Sequence, residues 1–499
     1  MFIAHFNNLK KGNNWLSTLA LLVLVLSGCS SDDNNKSPVI EESPTTGIWS
    51  APAYGIVVDI SETDFKFYQF TSEYCQAYPL EEYFSIDFEA LVASSEAIDE
   101  GSYLYTTLAG IKVPGITMNK QDTLPQPCID NFVPSIGEAN YEFDPLLEFE
   151  IFWATFNKHY AFFDIEAVNW DEVYAQASQA ITNNTTEEDL FEVFAQMIAT
   201  LNDFHVEIIN PELGFEYASP ARKPTIENIA LMDFLSINEL ENISSEQECF
   251  QYLEYLSLQK EEAFAIIISN LAEGEDVHFN DSQTIFWARL NDDIGYLLLN
   301  TMDDVEIGGS EITEENLLSL SVTMDQMLEE LEGVEGLVVD VRYNEGGDDF
   351  VSQYIAGRLT NQPFDAYSKQ ARLGQTRTSL QNIVINPRGY NQYSGPIALL
   401  ASMSTASAAE TFTLAMRERM DTVIIGERTA GGFSDQLIKT LPSGLLYTLS
   451  NEFYLSVADE SFEGEGVPVD IEKPFFTLEQ RDLGQDLGFE SAIEWLLNF

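Results

Sequence analysis

The residues best suited to covalent chemistry lie in the stretch Leu400-Ala-Ser-Met-Ser-Thr-Ala-Ser407-Ala-Ala-Glu410. An apolar run ends there, small residues turn the chain, and Ser407 falls near the start of a helix predicted over 406–419. A hydroxyl at such a place suits a nucleophile. The first-turn N–H groups of a helix are unpaired and, with the helix dipole, stabilise developing negative charge. A serine at a helix start also serves as an ordinary N-cap, and Ser402, Ser404 and Thr405 are equally available by composition. A hydroxyl nucleophile needs a base, and beyond the first thirty residues the chain offers only His159, His205 and His278. Imidazole, with an unperturbed pKa near ~6.5, can take a proton from serine at neutral pH. His159 sits in an aromatic helical pattern and His278 in a polar stretch, places where histidine is usually packed or solvated.

Four ordered motifs single out one serine, and a fifth singles out one histidine. Asp340-Val-Arg-Tyr-Asn-Glu-Gly-Gly347 resembles the Asp-x-Arg-x-Asn-x-Gly-Gly signature of C-terminal-processing and tricorn-core serine peptidases, and Ser407-Ala-Ala-Glu410 resembles their nucleophile motif. Gly426-Glu-Arg-Thr-Ala-Gly-Gly432 is similar to their glycine-rich segment, and Gly464-Glu-Gly-Val-Pro-Val-Asp470 to their Gly-Val-x-Pro-Asp ending. The likeness runs from about His205 to the C-terminus and is weaker in the helical segment before it. It implies a ClpP/crotonase-like core with Ser407 as nucleophile. Leu201-Asn-Asp-Phe-His205-Val resembles the histidine motif of the tricorn-like branch, which implies His205 as general base.

The resemblance carries further expectations. Relatives of the lysine type place their base in the glycine-rich segment, where this chain has Gly431-Gly432; the nearest lysine, Lys439, lies in the following strand pattern. An imidazole base works better when a carboxylate fixes its tautomer. Glu463 takes the family's acidic position, with Glu465 two residues away. Gly346 or Gly347 and the backbone of Ala408 are the oxyanion donors by resemblance, and glycine lets the main chain approach closely. Arg342 and Asn344 are expected to brace that loop. No metal or organic cofactor is required for such chemistry.

The elements that must hold these residues follow from periodicity. Short apolar runs over 294–300, 336–341, 396–400 and 422–426 alternate with helical stretches over 314–331 and 406–419, which argues for an α/β layered core over 286–499 closed by a C-terminal helix at 489–497. Residues 47–135 read as a β-rich domain and 140–205 as a helical domain. Asp144-Pro145 and Asn169 start two of its helices, and Thr185-Thr-Glu-Glu188 forms a capping box for a third. Phe149, Phe152, Trp153 and Phe156, then Leu190, Phe194, Met197 and Leu201, make apolar stripes for a core. Residues 206–285 are a mixed connecting segment with a helix near 246–259 and no Gly-rich carboxylate-binding loop.

The first 28 residues carry Lys10 and Lys11, an apolar run too short for a confident membrane span, and Leu-Ser-Gly before Cys29. That ending resembles a bacterial lipobox and implies cleavage before a lipidated Cys29, followed by a polar tether over 29–46. The expected setting is the cell envelope, at the outer membrane, with the lipid as the only membrane anchor. A formal charge of −59 repels nucleic acid, which excludes it as a partner. Of the other cysteines, Cys75 and Cys128 would tie together the β-rich domain, leaving Cys249 unpaired. The expectation is a serine peptidase acting on peptides or proteins. A non-catalytic peptide- or ligand-binding protein on the same fold is the alternative, and oligomeric state is not legible.

Overall fold

The computed structural model describes residues 45–80, 86–108, 112–220, 222–271, 276–302 and 318–499. The leader, Cys29 and the tether up to residue 44 lie outside the described residues, and residues from Ser43 onward form one compact unit.

A seven-stranded sheet forms the centre of the C-terminal half, with strands in the order His278–Phe279, Ile285–Arg289, Ile294–Leu299, Gly336–Asp340, Ile397–Ala401, Thr422–Gly426 and Ile471–Glu472. The last five run parallel. Alternation along each strand divides the core. Leu297, Leu299, Val339 and Leu399 face a cluster with Met324, Val351 and Phe412 of the helices Leu318–Glu330, Asp349–Arg358 and Ala408–Glu418. Tyr296, Leu298, Val338 and Leu400 face Ile267 and Leu271 of the helix Glu246–Leu271 and Phe489 and Leu496 of the helix Leu487–Asn498. Each buried aliphatic side chain contributes roughly 1.5–3 kcal/mol, so these strands are fixed from both faces. The second apolar face also explains why the helix expected near 246–259 runs on to Leu271: Ala263, Ile267 and Leu271 continue its buried stripe.

The N-terminal region is an antiparallel seven-stranded sheet that includes Gly47–Ala51, Ile56–Ile60 and Phe65–Phe70. Its Trp49, Val58 and Phe67 share one cluster with Phe149, Phe152 and Phe156 of the helix Pro145–His159, with Phe194 and Ile198 of the helix Glu187–Ile198, and with Leu437 and Tyr447 of the C-terminal half. Cys75 and Cys128 are joined by a disulfide, and Cys249 is free and exposed.

Asp144 caps its helix through the N–H groups of Leu146 and Leu147, and Asn169 caps the next through Glu172 N–H. The third cap falls one residue later than expected. Thr186, not Thr185, accepts from Asp189 N–H, because the Thr185 hydroxyl is occupied by Thr182 N–H in the preceding turn.

A four-stranded sheet delivers the histidine. Its order is Gln436–Thr440, Leu446–Ser450, Glu207–Asn210, Phe215–Ala218. Ile208 and Ile209 pair antiparallel with Tyr447 and Leu446, so the strand directly after His205 is stitched to the strands that follow the glycine-rich segment. Thr448 Oγ1 donates to His205 O at 2.7 Å and accepts Glu207 N–H at 3.0 Å, fixing the register beside the histidine.

Candidate active site

Ser407 is the residue at which the strand-to-helix turn is strained. It precedes the helix Ala408–Glu418 with φ 53° and ψ −124°, a conformation that favours glycine. Such a residue costs on the order of 1–3 kcal/mol and persists only where its surroundings over-determine it. Here Ser407 N–H donates to Gly432 O at 3.2 Å, and Ala406 N–H donates to Asn344 O at 3.0 Å. The Ser407 side chain makes no capping hydrogen bond. Its Oγ lies 3.1 Å from His205 Nε2. Two other hydroxyls of the turn are committed to its architecture: Ser402 Oγ donates to Arg342 O at 2.6 Å and accepts Ser404 N–H, and Thr405 Oγ1 donates to Val341 O at 2.8 Å.

The Asp340 to Gly347 segment braces this turn as expected. Arg342 is buried and forks between Asp340 and Asp486, the N-cap of the C-terminal helix. Asn344 donates to Leu299 O at 3.1 Å and accepts Gly346 N–H at 2.9 Å. Gly346 N–H is therefore spent within the loop. Gly347 and Ala408 are the candidates whose N–H groups donate to no acceptor among the described residues. Gly346 is required for a different reason: with φ +107°, a Cβ there would lie 2.6 Å from Ser407 Cβ and 2.8 Å from Ala406 O.

The glycine-rich segment is held by a carboxylate that sequence reasoning left without a role. Glu410, fully buried, accepts Gly431 N–H and Gly432 N–H, each at 2.7 Å, and the Thr429 hydroxyl. Burial pushes its pKa up to about 7 against the opposing pull of these donors. The fourth residue of the nucleophile motif thus sets the carbonyl of Gly432 that receives Ser407 N–H. The signal was its spacing, one helical turn from Ser407 on the same face.

Glu463, expected by resemblance as the acidic member, makes no hydrogen bond with His205. Its carboxylate accepts Phe433 N–H at 3.1 Å, and His205 Nδ1 is buried with no hydrogen-bond partner. Glu465 is exposed, 4.0 Å from Arg428. The reason is chain geometry: Gly464 N–H bonds Gly431 O, which folds the Glu463 side chain under the glycine-rich segment. Lys439, the other base considered, points into the β-rich region and donates to Tyr54 O at 2.7 Å and Gly55 O at 3.2 Å. His159 bonds Ala53 O at 2.8 Å, and His278 lies 3.2 Å from Glu330, so neither is placed at Ser407. Burial lowers the pKa of His205, opposed by the charges of Asp203 and Asp435.

A serine held at a strained strand-to-helix turn, with an imidazole on its Oγ and free N–H groups beside it, is the arrangement of serine-type hydrolases on an α/β core. Residues 293–473 match the model of peptidase family S41, and residues 147–199 match the tricorn protease C1 domain. The tail-specific protease of Haemophilus influenzae is 27% identical over 192 residues, which is 36% of this chain and 26% of that protein. The carboxy-terminal-processing protease of Bartonella bacilliformis is 27% identical over 188 residues, 37% of this chain and 39% of that one. The chain therefore spans well under half the length of these curated relatives. A crystal structure of a candidate peptidase from Parabacteroides merdae shares the fold with a TM-score of 0.53 at 22% identity, covering 71% of this chain and 98% of that one.

Proposed function

We propose that the chain is a serine peptidase that hydrolyses peptides or unfolded proteins through an acyl-enzyme on Ser407, with His205 as general base. The observation that carries this reading is the 3.1 Å approach of His205 Nε2 to Ser407 Oγ at a strained helix start. The Ser407 hydroxyl donates to Nε2, loses its proton there and attacks the carbonyl carbon of the scissile bond. The N–H groups of Ala408 and Gly347 receive the oxyanion. His205 then gives its proton to the leaving amine, and water repeats the sequence to release the acid.

The names of the two curated relatives refer to tails and carboxy-termini; for this chain the proposed substrate class is the broader one. We further propose that it acts outside the cytoplasm, anchored only by lipid on Cys29. The Cys75–Cys128 disulfide supports an oxidising compartment, and among the described residues no helix is long and apolar enough to cross a membrane.

Hydrolysis of a reduced, fluorescein-labelled casein tests the activity. Wild type is expected to release peptides and Ser407→Ala to release none; equal release by the two would refute the assignment.

A further inference from the structure

His205 has a carboxylate beside it that the motif comparison did not point to. Asp203 is two residues upstream, and its Oδ1 accepts the backbone N–H of His205 at 3.0 Å. Its own N–H donates to Ser219 Oγ at 3.2 Å, so the turn carrying both residues is tied down. Asp203 is 8% exposed and His205 is 6% exposed, and the remaining polar atoms of their side chains, Asp203 Oδ2 and His205 Nδ1, are both buried without a partner. When Nε2 accepts from Ser407, the ring proton resides on Nδ1, a donor in need of an acceptor. Asp203 Oδ2 lies on the same turn, with the Tyr160 hydroxyl against its carboxylate.

We propose that Asp203, rather than Glu463, is the positioning residue that orients His205 and supports its charged form during turnover, with Glu463 set behind Asp203. This rests on the peptidase reading for its role in turnover, but the placement of charge stands independently. As His205 takes the Ser407 proton on Nε2, a reorientation of the ring or the carboxylate, which are not bonded to each other at rest, brings its Nδ1–H to Asp203 Oδ2. No proton leaves the imidazole toward the carboxylate.

The surrounding charges agree. Asp203 is the foremost charge raising the His205 pKa against burial, ahead of Asp435. Asp435 is already answered by Lys112 and Lys369, each at 3.3 Å, and Lys369 is also 3.3 Å from Glu452. Glu463 is a different kind of group. Burial foremost, then the Asp203 charge, raise its pKa well above the carboxylate range, with Glu410 adding to both. The Asp203 charge is thus the foremost charge acting on Glu463 as well as on His205. Burial and then Asp203 likewise raise the Tyr160 hydroxyl, which places that side chain against the same carboxylate.

Two isosteric variants separate the carboxylates. Asp203→Asn keeps an oxygen for His205 N–H but puts an amide where the acceptor should be. Glu463→Gln mimics a protonated glutamate. Each is titrated by NMR on histidine-labelled protein, and each is assayed for its rate of inactivation by a fluorophosphonate across pH. Asp203→Asn is expected to lower the His205 pKa by about one pH unit or more and the inactivation rate by about 10²- to 10⁴-fold. Glu463→Gln is expected to leave both close to wild type. The assignment is overturned if Glu463→Gln lowers the His205 titration, or if a folded Asp203→Asn leaves it unmoved. Should Asp203→Asn fail to fold, the Glu463→Gln titration alone still decides. If the wild type never reacts with the probe while the titration shifts as expected, the peptidase reading fails and the placement of Asp203 stands.

Discussion

His205 and Ser407 are separated by 202 positions in sequence, yet Nε2 and Oγ stand 3.1 Å apart. The distance is closed by strand pairing rather than by a flexible loop. Ile208 and Ile209 pair with Tyr447 and Leu446, and Thr448 grips the His205 carbonyl. His205, the proposed base, is thereby held at the start of an inner strand, which is how catalytic geometry is held without an ordering cost at each turnover.

The pH dependence of the reaction should report that burial. Because desolvation disfavours imidazolium, the His205 pKa lies below its ordinary value. A lowered pKa keeps the base neutral further into the acid range. The plateau of kcat/KM should therefore extend below the free histidine pKa of ~6.5; an acidic limb centred above that value would contradict a buried base.

Gly346→Ala should inactivate the protein although its N–H touches no substrate. The new Cβ would meet Ser407 Cβ at 2.6 Å and Ala406 O at 2.8 Å, on a backbone with φ +107°. Displacing the nucleophile by even ~1 Å costs about 10²-fold in rate. Fluorophosphonate labelling measured beside circular dichroism would show a folded protein with that loss.

Stability should fall as pH rises through neutrality. Burial pushes Glu148 up to about 8 and Glu410 up to about 7 from the ordinary glutamate value of 4.5. A carboxyl whose folded pKa is raised holds its proton in the folded state after the unfolded chain has released it. Its favourable contribution is full below ~4.5 and is lost as pH climbs through the folded value, at about 1.4 kcal/mol per pH unit for each group. Calorimetry should find a lower Tm at pH 8 than at pH 5.5. Glu148→Gln, which keeps an oxygen for Ser443, should flatten that slope.

Much of this arrangement was legible in residue types. The four parallel strands at Ile294, Gly336, Ile397 and Thr422 appeared as uninterrupted apolar runs because both of their faces are covered. Asp144 and Asn169 announced their helices through capping chemistry that acts within four residues. Ser407 and His205 came from motif order. The proposed acidic partner differs from the motif expectation because such a role depends on which way a side chain points after a long-range fold, and motif position is blind to that. Glu463 is turned toward Phe433 N–H, whereas Asp203 reaches its histidine through a two-residue turn. The pooling of the 47–135 sheet, the 145–159 helix and Tyr447 into one core was equally hidden, since an apolar stripe does not name its partner.

The most direct test of the proposed chemistry is mass spectrometry of the protein after reaction with a fluorophosphonate, with the adduct mapped by digestion. The predicted result is one adduct, on Ser407, absent from Ser407→Ala, greatly slowed in His205→Ala and retained in Lys439→Met. An adduct on Ser402 or Ser404, or undiminished labelling of Ser407 without His205, would contradict it.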